Sequence, residues 1–118
     1  MNNRELLELA ARAAGNGCTW CEFWETMARP LNDGSGWDNR ATWNPLKDDG
    51  DALRLAVRLN LDIRYESYDA GVAVIVGGAW DGAPEAVHEI FERDGPRATR
   101  RAIVRAAAEI GKSMGGGE

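Results

Sequence analysis

Only two cysteines, Cys18 and Cys21, and one histidine, His88, occur in the 118 residues. That scarcity removes a four-cysteine zinc site within one chain and argues against a secreted disulfide scaffold, which normally carries more cysteines. Reduced thiols are expected. A lone histidine without a nucleophile elbow leaves no Ser-His-Asp arrangement to argue. No apolar run approaches the ~20 residues that a membrane-spanning helix needs. The opening Met1-Asn2-Asn3-Arg4-Glu5 leads into an amphipathic pattern rather than a signal-peptide core. A cytosolic protein with no membrane partner is expected. Cationic surplus is lacking as well: at a net charge of −5, duplex nucleic acid is not an expected partner, because binding it by neutralising phosphates needs a basic surface.

What is present is an ordinary globular composition, 44% hydrophobic and 28% charged, which excludes wholesale disorder and fibrous repeats. The length suits one domain over residues 1–114, with 115–118 as a flexible glycine tail. Leu6, Leu9, Ala10 and Ala13 fall on one face of a helix over 3–14, capped by Asn2 or Asn3 and ended by Gly15 or Gly17. Residues 19–25 suggest a short strand, followed by a loop through the turn-rich Asn32-Asp33-Gly34-Ser35-Gly36 to about residue 42.

Asp48, Asp49 and Asp51 stand where carboxylates favour the start of a second helix, over about 50–60. Leu53, Leu55, Ala56, Val57 and Leu59 spread over more than half of its circumference, which predicts a mostly buried helix. Residues 61–66 and 72–76 form a β-hairpin around Asp69-Ala70-Gly71. Residues 86–93 fit a strand or a helix, and we favour a third strand. Asp94-Gly95-Pro96 starts the last helix, about 97–113, with Ile103, Ala107, Ile110 and Met114 on its apolar face and Arg97, Arg101, Arg105 and Lys112 on the other.

Candidate chemistry is sparse. Cys18-Thr19-Trp20-Cys21 has C-x-x-C spacing, suited to a redox dithiol or half a zinc site, but it does not open a helix after a strand, and His88 is a single distant candidate ligand. Cysteines that pack in the core or lie on the surface by coincidence are the simpler reading. Gly111-Lys112-Ser113 ends a helix instead of preceding one, and Ala106 stands where a phosphate-binding loop needs glycine. Val76 to Gly82 follows a strand without the G-x-G-x-x-G order, so a flexible strand exit is preferred to an anion cradle. The Asp48/Asp49/Asp51 cluster is explained by capping, and Asp33-x-Ser35 fails the calcium-loop template. No catalytic residue, metal ligand or cofactor is assigned.

Five tryptophans lie largely in less regular segments. Such side chains serve either as binding anchors or as plugs at the ends of a small core. Trp37 after Gly36, Trp80 in a glycine-rich run, and Trp43 are the candidate anchors. Arg100, Arg101 and Arg105 are the candidate anion contacts, for an acidic protein surface or a phosphate-bearing small molecule such as a nucleotide. Surplus tryptophan and a buried-looking middle helix also make a second copy of the chain a candidate partner.

Two segments, Trp43-Asn44-Pro45-Leu46-Lys47-Asp48-Asp49-Gly50-Asp51-Ala52-Leu53-Arg54-Leu55-Ala56-Val57 and Ala98-Thr99-Arg100-Arg101-Ala102-Ile103-Val104-Arg105-Ala106-Ala107-Ala108-Glu109-Ile110-Gly111, together with the Leu-rich first helix, resemble a family of small tailed-phage proteins, the phage alpha-beta-alpha sandwich domain. The resemblance implies a virus-encoded protein acting in the host cytoplasm, with helices on both faces of a small antiparallel sheet. It implies no chemistry and supplies no functional residues. The expected fold is therefore α/β (α+β), a three-layer α-β-α sandwich with three to four strands. The expected function is non-enzymatic: an accessory protein binding a host or phage protein, in a role such as blunting an antiviral defence, with nucleotide sequestration as the alternative.

Overall fold

Asn2 begins the ordered architecture by capping helix α1 (Asn3–Ala14): its side chain accepts the Glu5 N–H at 2.8 Å. Gly15, at φ 63°, closes the other end by donating to the carbonyls of Ala11 and Arg12. The computed structural model describes residues 2–78 and 86–114; Trp80, residues 79–82 of the run after the hairpin, and the 115–118 tail lie outside the described residues.

Helix α1 is buried on two edges, a wider arc than expected. Leu6, Ala10 and Ala14 join the main core, while Leu7 and Ala11 pack on Met27 in a second cluster. Leu9 and Ala13 are only half-buried, because α1 touches both the last helix and the first sheet.

That first sheet corrects the expected strand-then-loop reading of 19–42. It contains β1 (Thr19–Cys21), β2 (Thr26–Pro30) and β3 (Trp37–Trp43), antiparallel in that order. Glu25 at φ 50° turns the chain between β1 and β2. Pro30 closes β2 opposite Trp37, where the ladder ends and its missing N–H costs least. Ala28 pairs with Thr42 but Arg29 with Asp38, so residues 39–41 lie outside the register. The 32–36 segment is the turn expected: Asp33 accepts the Ser35 N–H at 2.9 Å and its hydroxyl at 2.6 Å.

Helix α2 (Asp49–Arg58) starts at Asp48, whose carboxylate accepts the Asp51 N–H at 2.7 Å. It ends on left-handed Asn60 (φ 53°), with Leu61 N–H on the Ala56 carbonyl and Asn60 N–H on that of Val57. These are the paired bonds of a Schellman stop. The expectation that this helix is mostly buried is corrected. Only Ala52, Leu55 and Ala56 are buried, while Leu53 is 60% and Val57 67% exposed. The physical reason is that its packing is chiefly against one neighbour, the last helix, which covers one stripe of a broadly apolar circumference.

The hairpin and third strand are as read: β4 (Asp62–Tyr68), β5 (Gly71–Gly77) and β6 (Val87–Phe91) form a second antiparallel sheet in the order β4-β5-β6. The single sheet of three to four strands is thus replaced by two three-stranded sheets. Val74, Val76 and Val87 face the helices, whereas His88 and Ile90 on the opposite face are exposed.

Helix α3 (Gly95–Met114) begins two residues earlier than read, with the Asp94 carboxylate accepting the Arg97 N–H at 3.0 Å. Ala98, Ala102, Ile103, Val104, Ala106, Ala107 and Ala108 are buried, a wider arc than a single apolar face, since α1, α2 and the second sheet all pack on it. Met114, expected on that face, is 61% exposed beyond the last of these contacts. At Gly111 the Leu9 backbone of α1 passes so close that a Cβ would stand 2.8 Å from the Leu9 carbonyl carbon. Glycine here permits helix–helix approach. No polar or charged side chain is buried among the described residues, so the core is held by apolar burial alone.

Candidate functional site

An apolar cleft of about 510 Å³ lies where α2, the second sheet and the first turns of α3 meet. Ala52 and Leu53 of α2, Ile63 and Tyr65 of β4, Phe91 of β6, and Pro96, Thr99 and Ile103 of α3 line it. Strand alternation puts Ile63 and Tyr65 on the helix-facing side, and the register places Phe91 opposite Val72 on that side. Because α2 packs mainly on α3, a gap is left between Leu53 and β4. The volume falls within the roughly 300–1,000 Å³ of typical ligand clefts.

The cleft is held open by polar ties at its margins. The Tyr65 hydroxyl meets the Thr99 hydroxyl at 2.8 Å, and the Tyr65 and Phe91 rings sit edge-to-face at 6.4 Å and 87°. Arg100, with a side chain only 18% exposed, donates from Nε to the Leu46 carbonyl at 2.9 Å and from Nη1 to Asp49 at 2.6 Å. This guanidinium ties α3 to the Asn44–Asp48 turn and the start of α2.

The other candidate residues do not converge on this cleft. Arg105 donates to the His88 carbonyl at 3.0 Å and pairs with Glu89, whose carboxylate also takes Arg101 at 3.8 Å. Trp37 and Trp43 are half-buried at opposite ends of β3. Trp43 packs on both core clusters, a plug rather than an exposed anchor. Trp80 lies outside the described residues. Leu53 and Tyr65, which sequence reasoning missed as site residues, carry the accessible apolar area. The signal was the surplus of apolar positions on α2 beyond what one packing stripe requires.

The remaining candidates have structural uses. Asp48 caps α2, and Asp51 accepts the Asn44 N–H at 2.9 Å and pairs with Arg54 at 2.8 Å. Cys18 and Cys21 are free thiols, Cys21 fully buried on β1. Burial pushes the Cys18 thiol up, against the pull of Arg29, and so away from the thiolate a redox or nucleophilic cysteine needs. Among the described residues no three His, Cys, Asp or Glu side chains are grouped to hold a metal ion, and no helix is long and apolar enough to cross a membrane.

The chain matches no family model, no curated protein and no solved structure.

Proposed function

We propose that this chain is a phage-encoded, non-enzymatic accessory protein that binds a host or phage protein, receiving an apolar side-chain cluster of that partner in the α2/β4/α3 cleft. The observation carrying the reading is the coincidence of a formed apolar cleft with exposed apolar groups at its mouth, Leu53 at 60% and Tyr65 at 52%. Exposed apolar area around a concavity supports recognition of a protein anchor, because seating an aromatic or aliphatic group there removes both surfaces from water. Action in the host cytoplasm and inhibition of an antiviral defence belong to this proposal through the phage resemblance of residues 43–57 and 98–111. So does the three-layer α-β-α arrangement, which the same resemblance implies.

Nucleotide binding has weaker support. Arg100 is engaged by Asp49 and a carbonyl, Arg101 and Arg105 share Glu89, and no described tryptophan lines the cleft to stack a base. A phosphate would have to displace these partners.

The test is capture from bacterial lysate by the wild type and by Leu53→Arg in parallel. A protein retained by the wild type and lost by the variant is the expected result. No specific protein, or equal retention by both, overturns the reading. A nucleotide panel at millimolar concentration is expected to give no thermal shift; a shift abolished by Arg100→Ala would transfer the site to nucleotides.

A further inference from the structure

Among the described residues two three-stranded sheets leave four edge strands, and a free edge is a row of unpaired backbone groups ready to accept another strand. Three of the four are poor templates. Strand β1 has 3 residues, β3 is interrupted at 39–41, and β6 has 5 residues with Glu89 at its centre, which would face its own like charge in a symmetric pairing. Strand β4 differs. All 7 of its residues pair with β5 without a shift, and among the described residues β5 is its only strand neighbour. Arg64, Tyr65, Ser67 and Tyr68 along it are exposed.

We propose that β4 pairs antiparallel with β4 of a second copy, centred on Tyr65, joining two three-stranded sheets into one across a twofold axis. In Asp62-Ile63-Arg64-Tyr65-Glu66-Ser67-Tyr68 the opposite charges Arg64 and Glu66 flank the middle residue symmetrically. Arg64 stands opposite the partner's Glu66, and Glu66 opposite the partner's Arg64, so symmetry makes the opposite-charge pair twice. Centring the pairing one residue either way sets Arg64 or Glu66 against its own copy. The two side chains approach each other along the strand at 3.7 Å and are 67% and 43% exposed, and Glu66 also accepts the Tyr68 hydroxyl at 2.7 Å, so pairing across the seam exchanges these solvent-exposed local contacts for the partner's.

The opposite face gains as well. A twofold axis perpendicular to the joined sheet keeps equivalent faces on the same side. Tyr65 and the exposed Leu53 of each copy therefore lie on one side of the seam, and each cleft extends towards the other. This pairing is independent of which protein enters the cleft.

Sedimentation equilibrium of the wild type, Arg64→Glu, Glu66→Arg and the double exchange tests it, with circular dichroism confirming the fold of each. The wild type is expected at twice the 12.9 kDa chain mass at micromolar concentration. Each single variant replaces two attractive pairs by two repulsive ones and weakens self-association by about tenfold or more. The double exchange restores it. A wild type that stays monomeric at millimolar concentration overturns the proposal. So does a single variant that dimerises as well as the wild type, or a folded double exchange that fails to recover.

Discussion

Replacing Gly111 by alanine separates helix propensity from packing. On propensity alone, alanine in a helix interior is favoured over glycine by about 1 kcal/mol. At Gly111 the new Cβ would lie 2.8 Å from the Leu9 carbonyl carbon and 3.2 Å from its Cα, with the Leu9 oxygen closer still. Restoring ordinary carbon–carbon separation asks for about 1 Å of movement between α1 and α3. The atoms that must yield are backbone, so a steric cost of about 3 kcal/mol, high in the usual overpacking range, is expected. Net destabilisation is about 2 kcal/mol, which lowers Tm by roughly 10 °C for a chain of this size. Urea titration followed by circular dichroism measures it as a lower midpoint at unchanged slope. Gly50→Ala is the control, because its Cβ would meet no backbone, only the Arg54 guanidinium at 3.1 Å and the capping Asp48 carboxylate at 3.2 Å, so any cost there is that of the α2 cap and not of helix–helix approach. A Gly111→Ala variant as stable as the wild type would refute the α1–α3 contact on which the core is built.

Other outcomes follow from the same contacts. Asp48→Ala removes the α2 cap and lowers stability by about 1 kcal/mol in the same titration. Asp49→Asn costs under about 1 kcal/mol because that carboxylate is 77% exposed, whereas Arg100→Ala, which also loses the Leu46 carbonyl bond and a packed stem, costs about 1–3 kcal/mol. Hydrogen bonds from the Ser35 hydroxyl and N–H hold the Asp33 carboxyl below the usual carboxylate range. A depressed value means the carboxylate is favoured in the folded chain above the ordinary range, and that advantage fades as pH falls through the folded value. Carboxyl NMR titration of Ser35→Ala is expected to move the Asp33 midpoint upward.

The helices and the hairpin were legible because local signals agreed: caps at Asn2 and Asp48, turn chemistry at Asp69-Ala70, and alternation along Leu61 to Glu66, whereas the third strand was favoured over a helix on a pattern that fits both. The first sheet was not. Its strands are short, Pro30 reads as a breaker although it sits at a ladder end, and the three residues outside the register destroy the alternation of β3. The burial of α2 was overestimated because periodicity counts apolar residues without knowing how many neighbours cover them. The cleft escaped for a related reason. Leu53, Tyr65, Phe91 and Thr99 are far apart in sequence and converge only when α2 packs on α3 and leaves β4 uncovered. Of the described candidate binding residues, Arg100 alone lands at that cleft, as a structural tie, and Asp49 of the carboxylate cluster lines it as that arginine's partner.

The central claim is that the cleft, and not apolar surface in general, receives a protein partner. Photo-crosslinking from a benzoylphenylalanine at Leu53, with one at Ile90 as control, tests it directly. Ile90 is 71% exposed on the opposite face of the second sheet and is the more accessible of the two positions. In bacterial lysate the account predicts that position 53 captures one defined protein other than the chain itself, and that position 90 does not. Equal crosslinking from both positions, or none beyond self-crosslinks from position 53, would contradict it.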